Sequence, residues 1–184
     1  MKVKVVNSSS KKTREKIKKS FALLLEKKGE LNKITVTDLV NKADITRSAF
    51  YTHYENIGEV AKDILEETLD VLMNNMNKLQ NLESINLYFD ELFLYLEENS
   101  DMYSRILKCN EPLLLISSLN KMVSKNLYEV LKNKEIDNLE LNISFFIDGC
   151  FQIIVKHYRK QIDYSLDEIK EYAKITFKKL FLEK

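Results

Sequence analysis

Apolar residues recur at intervals of three and four along almost the whole chain, which is the spacing of amphipathic helices. The first stripe predicts a helix from about Lys12 to Lys28 and consists of Ile17, Phe21, Leu24 and Leu25. Only 3 glycines and 1 proline occur in 184 residues, which leaves little material for the turns of a many-stranded β protein. The pattern therefore predicts an all-α protein.

Two short helices separated by a tight break are predicted between residues 35 and 52. The sequence Thr35-Val36-Thr37-Asp38 is a capping box, which opens a helix that reaches about Ala43. After the break at Asp44, Thr46 is placed to cap a second helix of about residues 47–52. Two short helices joined by a tight turn, behind a basic first helix, form a helix-turn-helix.

Helical patterns continue to the end of the chain. Asn56 is placed to cap a long helix of about residues 57–78, and further helices are predicted at about 82–98, 102–108, 112–132 and 139–158. A second capping box, Ser165 to Glu168, opens the last helix. We expect a flexible basic arm at residues 1–10, a helix-turn-helix domain at 11–56, and a helical regulatory and dimerisation domain at 57–184.

The segment 139–158 is apolar on almost every side and must be covered all round. In a chain of this size, we expect a second subunit to supply part of that cover. The last two helices are therefore predicted to form a homodimer interface through Ile143, Ile147, Phe151, Ile154, Ile169, Ala173, Phe177 and Leu180.

The net charge of +1 hides an asymmetry along the chain. Residues 1–60 contain 13 Lys and Arg against 7 Asp and Glu, whereas residues 61–184 contain 16 against 21. The first predicted helix has a basic side made of Lys11, Lys12, Arg14, Lys16, Lys18 and Lys19. This polarity indicates that the N-terminal end meets a polyanion, and the alternative is a solvated helix surface.

The second short helix suits the major groove of DNA, which is about 12 Å wide. It presents small or hydrogen-bonding side chains on one side, and Phe50 and Tyr54 are spaced to turn inward as anchors. Tyr51 is expected to lie along a sugar-phosphate strand with its hydroxyl on a phosphate.

These residues carry a resemblance to a known family. The stretch from Thr13 to Val60, about a quarter of the chain, resembles the DNA-binding domain of the TetR family of bacterial regulators. The matching segments are ITVTDLV at residues 34–40 and ADITRSAFYTHY at residues 43–54. The family pattern there is a T-V-x-x-I segment, an A-G-V-S turn and a stretch of the form R-x-x-F-Y-x-H-F.

The resemblance implies an all-α regulator with an N-terminal three-helix DNA-binding domain and a C-terminal helical bundle. It implies a homodimer that binds a palindromic operator on double-stranded DNA, acts as a repressor and is released by a small-molecule inducer. The residues expected to face bases are Arg47, Ser48, Ala49 and Thr52. Those expected at the DNA backbone are Thr35, Thr46, Tyr51 and His53, with Lys33 added by its charge alone.

Two positions depart from the family pattern. Asp44 stands where the turn usually has glycine, and aspartate tolerates the left-handed conformation better than most residues. Ile57 and Gly58 stand where the family usually has a lysine followed by an acidic residue. The second departure predicts a missing phosphate contact, with an affinity for DNA that is either weaker or shifted to the lysine-rich arm.

An inducer cavity is predicted between the middle helices, with ordinary core packing as the alternative. The candidate lining residues are Met73, Met76, Phe89, Phe93, Tyr103, Met122 and Phe146. Because charged residues are nearly absent among them, the expected ligand is small and apolar or aromatic.

Two further alternatives stay open, namely a C-terminal domain that responds to a protein partner and a regulator that acts as an activator. An exposed apolar patch would favour a protein partner, whereas an enclosed cavity would favour a small inducer. No catalytic pair or metal-ligand spacing is evident, so we expect neither an enzyme nor a cofactor or metal. The chain has no signal-peptide pattern and no long apolar run, which predicts a soluble cytoplasmic protein without membrane association.

Overall fold

The computed structural model of this chain describes residues 8–74, 76, 79, 82–108 and 112–183, with the backbone alone at residues 8, 9, 82 and 112–116. Every regular element in these ranges is helical, which confirms the all-α prediction. A 3-10 turn covers Leu31–Lys33. The α-helices are α1 (Ser8–Lys28), α2 (Val36–Ala43), α3 (Arg47–Tyr51), α4 (Ile57–Met73), α5 (Leu82–Glu98), α6 (Ser100–Lys108), α7 (Pro112–Leu131), α8 (Leu139–Tyr158) and α9 (Leu166–Phe181).

Two helix boundaries differ clearly from the sequence prediction. Helix α1 begins at Ser8, so residues 8–10 of the predicted arm are helical, and residues 1–7 lie outside the described residues. Helix α4 ends at Met73 and not near residue 78, because Asn74 takes an extended conformation with φ −61° and ψ 132°. Asparagine favours helix ends because its side chain competes with the helical backbone hydrogen bonds.

The N-terminal core joins α1, α2 and α3 to the first half of α4. Its fully buried members include Phe21, Leu39 and Phe50, all 2% exposed or less. Ile106 of α6 packs into the same core, although α6 lies far along the chain. The reading head, defined here as residues 35–54, therefore rests on α1 and α4 and also on α6, which belongs to the second half of the chain.

Helix α6 is held by polar contacts on two sides. Arg105 donates to Glu26 of α1 at 2.5 Å, and Arg159 at the end of α8 donates from Nε to the carbonyl oxygen of Leu107 at 2.7 Å. Helix α6 therefore connects α8 to α1.

The C-terminal core lies among the end of α4 and helices α5, α7, α8 and α9. A group of phenylalanines fills its centre, with ring centroids 5.5 Å apart for Phe146 and Phe177 and 4.8 Å apart for Phe177 and Phe181. Phe146 and Phe177 meet edge-on, whereas Phe177 and Phe181 are tilted. An edge-on aromatic pair adds about 0.5–1.5 kcal/mol beyond the area that it buries. Across the part of the chain that the structure describes, none of the helices is long and apolar enough to cross a membrane.

Candidate functional site

The predicted capping box is present at the N-terminus of α2, the first helix of the reading head. The hydroxyl of Thr35 accepts from the amide of Asp38 at 3.1 Å, and the Asp38 carboxylate accepts from the Thr35 amide at 3.0 Å. The ammonium group of Lys28 lies 2.5 Å from that carboxylate and, with Thr35, holds the pKa of Asp38 well below its usual range. The capping box therefore keeps its negative charge at neutral pH.

The turn between α2 and α3 depends on Asp44. This residue takes the left-handed conformation, with φ 51° and ψ 58°, where the sequence analysis placed the break. The amide of Ile45 then donates to the carbonyl of Val40 at 3.1 Å, which closes the turn. Aspartate in place of the family's usual glycine thus keeps the tight turn.

Helix α3 presents one exposed side and one buried side. Thr46 caps it as predicted, because its hydroxyl accepts from the Ala49 amide at 3.1 Å. Phe50 is fully buried and Tyr54 is 5% exposed, which confirms both inward anchors. The side chains expected to face DNA lie on the opposite side, and those that are exposed are Thr46, Arg47, Ser48, Tyr51 and Thr52.

The remaining predicted contacts lie at the edges of this surface. Ala49 and His53 are half-buried, while Lys33 and Thr35 are exposed before α2. The ammonium of Lys33 pairs with Glu30 at 2.5 Å, so a phosphate would have to compete with that carboxylate. The guanidinium of Arg47 donates to the hydroxyl of Thr37 at 2.5 Å, which holds it beside the start of α2.

Two cations of the predicted basic side of α1 turn away from that surface and towards α4. Lys18 is only 4% exposed, and its ammonium pairs with Glu15 at 2.7 Å and with Glu67 at 2.6 Å. Arg14 pairs with Asp63. The expectation of one continuous phosphate-facing side is therefore corrected to four exposed lysines, Lys11, Lys12, Lys16 and Lys19.

Asp63 also receives the hydroxyl of Tyr54, and this contact was missed by the sequence analysis. Tyr54 donates to Asp63 Oδ2 at 2.6 Å, and burial raises the pKa of this phenol. Asp63 of α4 thus contacts both Arg14 of α1 and Tyr54, which lies three residues after the end of α3. The sequence contains a signal for the ion pairs between α1 and α4. Arg14 and Lys18 are four residues apart, and so are Asp63 and Glu67, so each pair of charges lies on one side of its helix.

The start of α4 explains why Ile57 and Gly58 can replace the lysine and the acidic residue of the family pattern. Ile57 is buried in the N-terminal core, so the position that usually carries a lysine serves packing here. At Gly58 an added Cβ would lie 3.0 Å from the Asn56 side-chain oxygen, which caps the helix by accepting from the Glu59 amide. A larger residue at Gly58 would press on that cap.

Tyr54→Phe is expected to lower the free energy of unfolding by about 1–3 kcal/mol, since it removes a buried hydrogen bond to a charged carboxylate. Denaturant unfolding followed by circular dichroism measures the change. Tyr128→Phe is the matched control, because Tyr128 is exposed on α7 and its loss should shift stability by less than about 0.5 kcal/mol. Equal stability of Tyr54→Phe and the wild type would mean that Asp63 does not tie the reading head to α4.

A cavity of about 120 Å³ lies inside the C-terminal half, among α4 to α9. Five of the seven predicted lining residues surround it, namely Met76, Phe89, Phe93, Tyr103 and Phe146. The other two are corrected. Met122 is 47% exposed because α7 turns Leu119, Val123 and Leu127 inward instead, and Met73 packs at the edge of the C-terminal core outside the cavity wall.

The predicted dimer stripe on α8 and α9 divides into two sets. Ile143, Ile147, Ile169, Ala173 and Phe177 are buried inside the protomer. They have little exposed area with which to contact a partner, so the interface prediction is corrected for them. Phe151, Ile154 and Leu180 are half-buried. The exposed apolar side chains of the same region are Leu141, Phe145, Tyr164, Tyr172 and Ile175, which the periodicity did not select.

A groove of about 610 Å³ runs along this region between α8 and α9. Phe145 of α8 and Tyr172 of α9 both line it, and Gly149 lies four residues after Phe145 on α8. Among the described residues, no group of three or more His, Cys, Asp and Glu side chains is arranged to hold a metal ion.

Comparisons with known proteins agree with this geometry. Residues 83–179 match the sequence model of a TetR family domain described as a transcriptional regulator C-terminal region. A relative from Bacillus subtilis (strain 168), the uncharacterized HTH-type transcriptional regulator YxbF, is 29% identical over 65 residues. That alignment covers 35% of this chain and 17% of the length of YxbF.

Two solved structures share the fold over most of their length. A TetR transcriptional regulator from Streptococcus agalactiae 2603V is 19% identical with a TM-score of 0.60, and the match covers 91% of this chain and 94% of the other. The dihydroxyacetone kinase operon activator DhaS is 17% identical with a TM-score of 0.62, over 91% and 96% of the two chains. At these identities the likeness concerns the fold, in which an N-terminal helix-turn-helix precedes a C-terminal helical domain.

Proposed function

Given that this chain belongs to the TetR family of transcriptional regulators, whose members are not enzymes, we propose that it is a cytoplasmic repressor. It binds a palindromic operator as a homodimer and leaves the DNA when a small apolar or aromatic molecule binds. Residues 11–56 bind DNA, and residues 57–184 form the regulatory and dimerisation domain.

The exposed side of α3 is the observation that carries this proposal. Arg47, Ser48 and Tyr51 project from a short helix whose opposite side is anchored by the buried Phe50. A helix held in this way enters the major groove with its polar side chains facing bases and phosphates. Arg47, Ser48, Ala49 and Thr52 contact bases, while Thr35, Thr46, Tyr51, His53 and Lys33 contact the DNA backbone.

The homodimer is supported by the apolar residues that α8 and α9 leave exposed. Phe145 is 73% exposed and Tyr172 is 65% exposed, and both border the groove between the two helices. Exposed apolar surface of this kind marks an interaction site in a soluble protein. A second copy packed on this side would cover both aromatic side chains, and the resulting dimer would carry two reading heads.

The inducer site is supported by the apolar cavity among α4 to α9. Thr68 and Leu72 of α4 and Tyr103 and Leu107 of α6 form part of its wall. Ile106, which lies between these two residues on α6, packs into the N-terminal core. A ligand that binds better to one arrangement of α4 and α6 therefore shifts the separation of the two reading heads, by no more than its differential affinity.

A second candidate function replaces the small inducer with a protein partner and repression with activation. Leu87 and Leu94, seven residues apart on α5, are each more than half exposed, which is the kind of surface that a partner helix covers. One of the similar structures is described as an operon activator. Repressor and activator share the same DNA contacts, so the position of the operator relative to the promoter distinguishes them.

Selection of bound sequences from a random duplex pool tests the proposal. The purified protein, at a stated salt concentration, is expected to enrich one palindrome with two half-sites. Absence of enrichment even at low salt would contradict the DNA-binding proposal. A reporter gene placed behind the selected palindrome then separates repression from activation.

A further inference from the structure

The size of the inner cavity limits what it can hold. A cavity of about 120 Å³ is close to the roughly 150 Å³ of an engineered apolar cavity that binds benzene. It is far below the roughly 300–1,000 Å³ of sites for drug-sized ligands. One six-membered ring is therefore the scale of occupant that this arrangement of the helices admits.

The chemistry of the wall excludes charged ligands. The side chains that line the cavity are almost all apolar, and none of them is Lys, Arg, His, Asp or Glu. A carboxylate or an ammonium group placed there would lose its water without gaining a partner of opposite charge. The occupant is therefore neutral.

Five of the lining residues carry hydroxyl groups, and three of these, from three helices, lie close together. Thr68 of α4 lies 2.7 Å from the hydroxyl of Tyr103 of α6, and both oxygens are buried. Tyr95 of α5 places its hydroxyl 3.3 Å from that of Tyr103. The first distance is a normal hydrogen bond between hydroxyls, whereas the second is longer than the usual range of about 2.5–3.0 Å.

Each of these hydroxyl groups has one hydrogen to donate, which fixes the direction of the hydrogen bonds among them. Thr68 donates its single hydroxyl hydrogen to the carbonyl of Ile64 at 2.7 Å, so Tyr103 is the donor in its short bond to Thr68. In the 3.3 Å contact Tyr103 has the donor geometry, but its single hydrogen is already used on Thr68. The Tyr103 oxygen therefore keeps its capacity to accept, and the Tyr95 hydrogen is not used in this contact. A hydroxyl between the two rings would donate to Tyr103 and accept from Tyr95.

We propose that the cavity binds neutral single-ring phenols or alcohols, with the ligand hydroxyl bridging Tyr95 and Tyr103 and the ring lying against the apolar wall. This inference rests on the proposed function only in taking the cavity as the inducer site. The ligand replaces the long contact between Tyr95 and Tyr103 with two hydrogen bonds of normal length. It therefore changes how α5 is joined to α6, the helix that packs against the N-terminal core through Ile106.

Phenol and toluene are the probes, since they have nearly the same shape and differ in a hydroxyl against a methyl group. Titration calorimetry on the full-length protein gives both affinities, and the ratio of phenol to toluene affinity is expected to exceed one. Tyr103→Phe and Tyr95→Phe are each expected to lower that ratio about fivefold or more, because the buried ligand hydroxyl loses a partner. Benzoate is expected not to bind.

Tyr88→Phe is the matched control. Tyr88 also lines the cavity, but its hydroxyl donates to the carbonyl of Leu72 at 2.7 Å, so the ratio should stay at the wild-type value. Thermal unfolding of each variant shows that it is folded, and Tyr95→Phe is the milder change because Tyr95 is only half-buried.

The inference is overturned if the wild type binds toluene as tightly as phenol, if it binds neither, or if both tyrosine variants keep the wild-type ratio. These results are independent of DNA binding, which is measured without any ligand. Loss of the phenol preference together with an intact palindrome would remove this inference alone. A clear phenol preference without DNA enrichment would leave the cavity assignment and remove the regulator proposal.

Discussion

A chain carrying Phe145→Glu is expected to be a folded monomer. Phe145 is 73% exposed on α8, so the substitution disturbs little packing within the protomer. In a dimer formed through α8 and α9, however, the new carboxylate would be buried without a partner. Such a charge costs several kcal/mol, which raises the dimer dissociation constant by roughly a hundredfold or more. Sedimentation equilibrium gives the mass, and circular dichroism shows whether the helices are retained.

Leu94→Glu is the matched control, because Leu94 is 56% exposed on α5, outside the α8 and α9 region. It should remain a dimer of wild-type strength. A wild-type dimer for Phe145→Glu, or a monomer for Leu94→Glu, would place the interface elsewhere on the molecule.

Phe177 shows why the position of the charge matters. The sequence periodicity placed it at the interface, where a charge would separate the subunits. Its ring is instead 2% exposed and lies between Phe146 and Phe181. Phe177→Ala is therefore expected to destabilise the protomer itself by about 3–5 kcal/mol, a large share of a typical total of about 5–15 kcal/mol. Loss of the dimer with unchanged stability would contradict this.

Arg47→Ala and Tyr51→Ala are each expected to weaken operator binding by about 1–3 kcal/mol, or roughly fivefold to 150-fold, while the fold and the dimer persist. Both side chains are exposed on α3, and neither belongs to the N-terminal core. Arg47→Ala should also relax the preference for one base pair in each half-site, because it removes a base contact. Fluorescence anisotropy with the selected duplex and its single-base variants measures both effects.

Lys132→Ala provides the comparison for loss of a positive charge. Lys132 follows the last turn of α7 and pairs with Glu129, so its removal should leave operator affinity unchanged. If Arg47→Ala reduced the helical signal, or if it bound every duplex as the wild type does, α3 would not be the recognition helix.

The elements that depend on neighbouring residues could be predicted from the sequence. The caps at Thr35 and Thr46 and the left-handed Asp44 involve side chains and backbone within a few positions, so residue type and spacing are sufficient. The inward side of α3 also follows from periodicity, since Phe50 and Tyr54 are four residues apart.

The elements that depend on the packing of distant helices could not be predicted from the sequence. Lysine is normally solvated, and only the approach of α4 makes Lys18 a buried partner of Glu67. Helix α8 is apolar on almost every side, so its sequence does not show which side packs on α9 and which remains exposed. The prediction that Met122 lines the cavity was wrong for the same reason, because the neighbours of α7 decide which of its apolar residues face the cavity.

The central claim is that two reading heads, held at a fixed separation by one dimer, bind two half-sites on the same side of the DNA. Inserting about half a helical turn, roughly 5 base pairs, between the half-sites of the selected palindrome moves them to opposite sides of the duplex. The account predicts that the affinity for this duplex falls to that of a single half-site. An affinity equal to that of the unmodified palindrome would contradict it.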